Sequence, residues 1–230
     1  GVPVTVASTD QPRNDFNALM ANVHGLGPFV GFLDGAVDVF PIASGTSFYR
    51  QALPSGSVHL GFSATAMHWL SGKPGDISDH VHMVGASGAE LEAFRARAHD
   101  DWRQILLCRA AELVSGGRLV LVNFCIDGDG RHLGNTGGID MFETFARIWS
   151  EFLAEGRIDR DEYVAMTLPQ YYNTVEEFTA PLVDPDDPVC QAGLRLEHVE
   201  TRVVRCPFAA DFEQHGDVER FVQGYIPTIR

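Results

Sequence analysis

Basic residues are scarce in this sequence, and the close cysteine spacings of metal sites are missing altogether. Of 230 residues, 17 are Lys or Arg against 31 Asp or Glu, a formal charge of −14 with a pI near 4.9. A chain this acidic lacks the cationic surface that displaces counterions from nucleic-acid phosphates or docks on anionic lipid. No apolar run is long enough to cross a bilayer. The strongest, Leu119–Ile126, has the length of a buried strand. The N-terminus lacks the basic start and long apolar stretch of a signal peptide. The four cysteines (Cys108, Cys125, Cys190, Cys206) are scattered, with no CxxC pair. They read as reduced thiols of a cytoplasmic protein, packing as small apolar groups. No Gly-x-Ser-x-Gly occurs, so no hydrolase-type nucleophile elbow can be drawn. With 45% hydrophobic and 21% charged residues the chain is not disordered. Its length suits one sizeable core, in one domain or a domain with a subdomain.

Strand and helix signals alternate along the first half, and no internal repeat is visible. Val2, Val4 and Val6 alternate with other residues, which predicts a strand over 1–7. A polar turn follows, and Asp15 caps a short helix reaching Met20 or so. Residues 22–35 read as a glycine-rich loop, with strands at 36–42 and 57–63. Ser87 with Glu90 has the spacing of a capping box. It opens a long helix striped by Leu91, Phe94, Ala98, Trp102, Ile105, Leu106 and Leu113. Gly116 and Gly117 are expected to stop that helix ahead of a buried strand over 118–126. Such alternation implies a parallel sheet with helices on its faces. After Gly138 the pattern turns helical: Met141, Phe142, Phe145, Ile148, Trp149, Phe152 and Leu153 share a face. A short acidic helix near 159–166 and a helix capped by Thr174 with Glu177 follow. This insert reads as a lid over the sheet edge. A strand over 194–204 and a final helix carrying Phe212, Val218, Phe221, Val222 and Tyr225 close the chain.

Three places could carry chemistry. Asp10 stands just past a strand end, where an acid in a doubly wound sheet can accept hydrogen bonds from a ribose; a turn or helix-capping acid is the plain alternative. Residues 45–49 put Ser47 beside Phe48, a hydroxyl and a flat ring suited to adenine, although a loop aromatic can equally anchor to the core. Residues 63–71 follow a strand directly and contain His68 and Trp69. An indole N–H only donates, so Trp69 could hold an anionic oxygen without acting as a base. Core packing is the alternative for both. The oxygen-rich loop with Asp127, Asp129, His132 and Asn135 fits no calcium-loop spacing and reads as a solvated, flexible loop. Asp76, Asp79, His80 and His82 likewise read as a surface loop rather than a metal site.

These stretches occur in an order that resembles the SABATH family of S-adenosyl-L-methionine-dependent carboxyl methyltransferases. The matching segments are Thr9–Asn17, Gly45–Tyr49, Leu53–His59, Met67–Ser71, Arg109–Leu121, Ala154–Ile158 and Leu168–Tyr172. The resemblance implies an α/β fold, a Rossmann-like class I methyltransferase sheet with an α-helical cap. Residues 1–137 and 191–230 would form the core and 138–190 the cap over the substrate pocket. It implies that Asp10, Gln11, Ser47, Phe48, Ser63 and Ala64 bind S-adenosyl-L-methionine. It also implies that Thr65, His68, Trp69, Met141 and Phe142 line the substrate pocket, with Trp69 and His68 in the catalytic role. For Met141 and Phe142, packing within the cap's own core is an equal reading. The implied partner is a small-molecule carboxylic acid, with no nucleic acid and no membrane; a homodimer is compatible with this.

Departures from the family pattern carry expectations too. Family members often have Tyr at the position of Thr65, so the pocket is expected to be wider here. Val164, Met166 and Thr167 stand where some relatives place a divalent-ion site, so no metal is expected. The family's glycine-bearing cofactor loop and its carboxylate-gripping glutamine would lie upstream of Asp10, and its last strands beyond Arg230, so the chain reads as an internal segment. A substrate carboxylate, with a pKa of about 4, is already ionised at neutral pH. Methyl transfer to it then needs positioning and exclusion of water rather than a general base. Two other readings remain: a nicotinamide-dependent reductase, which would also use an acid such as Asp10, and a non-catalytic binding module.

Overall fold

The computed structural model describes residues 1–27 and 30–229. The glycine-rich loop expected over 22–35 includes positions 28 and 29, which lie outside the described residues.

β1 (Val4–Thr9) pairs in parallel with β2 (Val39–Ser44), in register from Val4↔Val39 to Thr9↔Ser44. Between them Asp15 caps α1 (Phe16–Val23), accepting from the N–H groups of Asn17 and Ala18 at 3.0 and 3.1 Å. β3 (Val58–Ala64) pairs in parallel with β4 (Leu113–Val122). The two pairs are separate two-stranded sheets, not hydrogen-bonded to each other. α2 (Gly88–Glu112) is the crossover between β3 and β4 and buries Phe94, Ala98, Trp102, Ile105 and Leu106. The architecture is α/β, with parallel pairing as the strand–helix alternation implied.

Two local expectations fail around α2. Ser87 precedes the helix but its hydroxyl makes no cap bond. Glu90, its expected partner, instead accepts from the backbone N–H and the hydroxyl of Ser78. Gly116 and Gly117 do not stop the helix, which ends at Glu112. They form a bulge within β4, where the register jumps from Val58↔Leu113 to Leu60↔Arg118. A side chain at Gly117 would stand 2.9 Å from the Val58 carbonyl oxygen, so only glycine lets the strands close there.

The four helices between residues 141 and 191 are each started by an acid or a threonine. Asp140 caps α3 (Met141–Ala154), and Asp159 with Glu162 forms a capping box on α4 (Arg160–Ala165). Thr174 with Glu177 does so on α5 (Val175–Val183), as expected, and Asp187 caps α6 (Pro188–Gln191). Trp149 on α3 donates to the Tyr163 carbonyl at 3.1 Å, locking α3 to α4. One core cluster joins Ile77, Met83, Phe94, Ala98, Phe142, Tyr171 and Tyr172. A second joins Met67, Trp102, Ile105, Leu106 and Val189. Burying a side chain such as Phe94, which is fully enclosed, contributes about 2–3 kcal/mol.

Residues 1–196 form one compact unit and the residues from 197 onward a second. The strand expected over 194–204 does not form; those residues adopt neither helix nor strand. Their alternating pattern finds no neighbouring ladder, and a strand's backbone needs one. The final helix is also two. α7 (Pro207–His215) ends at Gly216, whose φ of 65° terminates it, and Asp217 caps α8 (Val218–Tyr225). Phe212 against Phe221 and Phe208 against Tyr225 zip this pair together. No helix among the described residues is long and apolar enough to cross a membrane.

Candidate functional site

The parallel pairing of β1 and β2 delivers Asp10 and the 45–49 loop to the same sheet end. The Asp10 N–H extends the ladder by donating to the Ser44 carbonyl at 3.2 Å. Its carboxylate is exposed. One oxygen accepts from the Gln11 N–H at 2.6 Å and the other from the Asn14 amide at 2.9 Å. A carboxylate has about four acceptor positions, so half of its capacity stays open to a ligand. Gln11 reaches the Ser47 hydroxyl at 3.4 Å. Gly45 lets this loop lie on α1: a side chain there would begin 3.4 Å from the Phe16 ring and the Pro12 Cα.

From Ser47 the contacts continue. The Phe48 and Tyr49 rings meet at 4.6 Å, and the Tyr49 hydroxyl donates to the Trp69 carbonyl. Burial pushes the Tyr49 phenol well above its ordinary pKa, so it stays a donor at any physiological pH. Arg109 and Glu112 fix the loop from behind. The Arg109 guanidinium donates to the carbonyls of Phe48 and Arg50, each at 3.0 Å. The Glu112 carboxylate accepts from the N–H groups of Ala52 and Leu53 at 2.6 and 3.2 Å, and from Arg109 at 2.7 Å.

The second sheet end carries Ser63, Ala64, Thr65, His68 and Trp69. Thr65 has a φ of 52°, left-handed backbone that a β-branched residue rarely adopts. Such a residue costs on the order of 1–3 kcal/mol and persists only where its surroundings hold it. Here its N–H donates to the Val122 carbonyl at 2.8 Å, and the turn it creates brings residues 66–69 back over the strand ends. Trp69 bridges to Gln170, and the Tyr171 N–H donates to the His68 carbonyl at 2.9 Å. Asp101, buried on α2, accepts from the Ser71 N–H and hydroxyl at 2.8 and 2.7 Å. Trp69 keeps its indole half-exposed, while His68 is buried against Phe124 and Tyr172, ring centroids at 4.8 and 5.9 Å.

The structure therefore joins Gln11, Ser47, Phe48, Trp69 and His68 through neighbouring contacts, with Asp10 at one end and Phe142 at the other. Phe142, on α3, is buried in the cluster around Tyr172 and stacks on His82 at 3.9 Å. Met141 packs beside it, half-buried. Both belong to a core shared with Ile77, Met83, Phe94 and Ala98, outside residues 138–190, and Phe142 also reaches the Tyr172 ring that touches His68. Ser63 and Ala64 lie on the other sheet, and no hydrogen bond links them to Asp10. Residues 127–135 are more ordered than a flexible loop: Asp127 accepts from the N–H groups of Asp129 and Arg131 and from the Arg131 side chain. The Arg131 N–H is the main reason its carboxyl lies below the usual range. Among the described residues no group of three or more His, Cys, Asp or Glu side chains is arranged to hold a metal ion.

Sequence reasoning missed Tyr49, Arg109, Glu112, Asp101, His82 and Tyr172 as supports of the site. Asp101 had a signal. It sits beside Trp102 between Ala98 and Ile105, an acid on an apolar helical face, which asks for a buried partner.

Burial lowers the His68 imidazole pKa to about 4 and that of His82 to about 3; beside His82 the Gln170 side chain works against burial. Both are neutral at pH 7, so His68 can share a hydrogen bond with a carboxylate but not a charge. The unfolded chain takes up these protons near pH 6.5 and the folded one far lower. The stability they contribute is thus complete above pH 6.5 and falls as pH drops toward 4 and 3, by at most about 1.4 kcal/mol per pH unit for each. Thermal melts between pH 7 and 4.5 should show this loss, and His82→Phe should flatten it. An identical pH slope in the variant would contradict the assignment.

A family model described as SAM dependent carboxyl methyltransferase matches residues 2–185. Farnesoic acid carboxyl-O-methyltransferase of Arabidopsis thaliana is 26% identical over 216 residues, covering 87% of this chain and 57% of its own length. Salicylate carboxymethyltransferase of Clarkia breweri is 25% identical over 221 residues, covering 94% and 57%. Among solved structures, loganic acid methyltransferase with SAH superposes with a TM-score of 0.63 at 25% identity, covering 77% of this chain and 50% of that one. The chain thus spans about half the length of the curated relatives it matches.

Proposed function

This chain belongs to the SAM-dependent carboxyl methyltransferase family, and from that premise we propose that the protein makes methyl esters of small-molecule carboxylic acids. The observation that carries the reading is the run of contacts from the exposed Asp10 through Gln11, Ser47, Phe48 and Tyr49 to Trp69 and His68. A carboxylate that accepts from ribose hydroxyls, an amide and a hydroxyl that can donate or accept, and a flat ring that can stack stand together at one sheet end and suit a nucleoside. They lead to an indole N–H that only donates. S-adenosyl-L-methionine, when bound, supplies an electrophilic methyl carbon on a sulfonium.

The protein's own part is positioning. Asp10 holds the ribose, and Gln11, Ser47 and Phe48 lie along the adenine. Ser63 and Ala64, small residues at the end of β3, leave room for the rest of the cofactor. Trp69 donates to one oxygen of the substrate carboxylate and so orients the other. Neutral His68 adds a hydrogen bond or forms the wall, and Thr65 leaves space where a larger side chain would intrude. Residues 138–190 act as a cap, with Phe142 and Met141 excluding water. No group is required to take up a proton, because the acid arrives ionised. On the same reading the protein works in the cytoplasm without a metal, and pairing of two copies is compatible with it.

Calorimetry with S-adenosyl-homocysteine on the full-length protein tests this. Binding should be seen, and Asp10→Ala should weaken it at least tenfold. Binding of NADPH instead would favour a reductase, and binding of neither a non-catalytic module. A mass-spectrometric screen for methyl esters over a panel of small acids then identifies the substrate.

A further inference from the structure

The two halves of the proposed site stand on different sheets. Ser47, Phe48 and Tyr49 follow β2 and Trp69 follows β3, and the two strand pairs are separate two-stranded sheets. The Tyr49 side chain joins the halves. Its ring meets the Phe48 ring at 4.6 Å, and its hydroxyl donates to the Trp69 carbonyl, 20 residues further along the chain.

That carbonyl is available because of the way the neighbouring chain pairs. Trp69 stands opposite Gln170 in an antiparallel bridge. The bonds of the bridge belong to the flanking residues: the Leu70 N–H donates to the Pro169 carbonyl and the Tyr171 N–H to the His68 carbonyl, both at 2.9 Å. In a pair of this kind the two opposed residues exchange no bonds of their own. The Trp69 N–H reaches the Ala66 carbonyl at 3.4 Å, longer than the usual range of about 2.7–3.2 Å. The segment that presents the indole is thus loosely closed on itself, and the Tyr49 hydroxyl supplies a tie from outside. On the other side Phe48 and Tyr49 pack on the core cluster around Trp102, and the Gln104 amide donates to the Tyr49 carbonyl at 3.3 Å. Ahead of them the hold is weaker, with Gln11 reaching the Ser47 hydroxyl at 3.4 Å. A ligand seated on Ser47 and Phe48 tightens that loose end and bears on the ring whose far end holds the main chain of Trp69.

We infer that Tyr49 is a positioning residue that couples the cofactor end of the site to the acid end: a nucleoside settled on Ser47 and Phe48 steadies Tyr49, whose hydroxyl steadies Trp69, so the cofactor prepares the place of the acid. This deepens the methyltransferase reading and rests on it. Ordering achieved by the first ligand no longer opposes the second, which makes the two bind cooperatively, and the coupling is equal in both directions.

Hydrogen exchange read by mass spectrometry, on the full-length protein with and without S-adenosyl-homocysteine, tests this. The ligand should slow exchange of the amides at 66–70 by about two- to tenfold, the range that one hydrogen bond provides. Tyr49→Phe keeps the ring in its packing and removes only the hydroxyl; thermal melting checks that it folds. S-adenosyl-homocysteine should still bind the variant, but the slowing at 66–70 should vanish. A merely structural role would speed exchange there with and without ligand alike and leave the ratio intact. That result would overturn the inference, since the ligand would then shield the segment directly or through packing. Absence of any slowing in the unaltered protein, once it has bound S-adenosyl-homocysteine, would overturn it without recourse to the variant. Failure of the unaltered protein to bind S-adenosyl-homocysteine would remove the methyltransferase reading itself, and this inference with it.

Discussion

Replacing Trp69 with alanine is expected to lower kcat/KM for ester formation by about 100-fold, with KM raised and kcat reduced together. A hydrogen bond to a charged oxygen contributes about 1.5–3 kcal/mol, and on the proposed reading it would also align the second oxygen for attack. Trp69 is suited to this because its main chain is tied down while its ring is not. The Tyr49 hydroxyl holds its carbonyl, Gln170 pairs with its backbone, and the indole stays half-exposed. Trp69→Phe separates the two contributions of the side chain. It keeps a ring in place and removes only the donor, so it should retain the melting temperature and still lose at least tenfold in kcat/KM. Steady-state kinetics on both variants decide the matter, and an unchanged kcat/KM in Trp69→Ala would remove the indole from the mechanism.

A second large effect is expected at a residue that touches no ligand. Glu112 lies in the last turn of α2, 3% exposed, and binds the N–H groups of Ala52 and Leu53 together with Arg109. Arg109 in turn holds the carbonyls of Phe48 and Arg50. Glu112→Ala leaves a mostly buried guanidinium without its counter-charge and two backbone donors without acceptors. Breaking one side of such a pair costs about 3–5 kcal/mol, out of a total stability of roughly 5–15 kcal/mol. The melting temperature should fall by about 10 °C. Because the loop carries Ser47 and Phe48, affinity for S-adenosyl-homocysteine should fall as well, measured well below the new midpoint. Glu112→Gln keeps an acceptor for one N–H and should lie between the two. A wild-type melting curve for Glu112→Ala would show that the loop holds itself.

What could be read in the sequence was local. The Asp15 and Thr174 caps, the apolar stripe of α2 and the place of Asp10 after a strand depend on residues within one or two turns of each other, and the structure has them. The exceptions are instructive. Ser87 and Glu90 had the right spacing, but Glu90 found a competing pair of donors on Ser78. Gly116 and Gly117 looked like a helix stop because glycine serves stops and bulges equally; only the register of the partner strand decides between them. Leu194–Val204 had the alternation of a strand but no neighbour to pair with. The supports of the site were illegible for a different reason. Arg109 and Phe48 are 61 residues apart, and Ser71 and Asp101 are 30. No local pattern encodes such meetings, and a lone acid on a helical face says only that a partner exists. The role of Phe142 was undecidable for the same reason, since an apolar helical face looks alike whether it meets a core or a ligand.

The left-handed backbone at Thr65 limits how the proposed substrate site can diverge. Every non-glycine replacement there inherits the same unfavourable torsion, and another β-branched one inherits all of it. Glycine would release the torsion and with it the hold on the segment leading to Trp69. On the reading proposed above, selectivity for new acids is more easily acquired at rings such as His68 and Phe142, whose side chains cap no backbone group, than at the residue nearest the strand end.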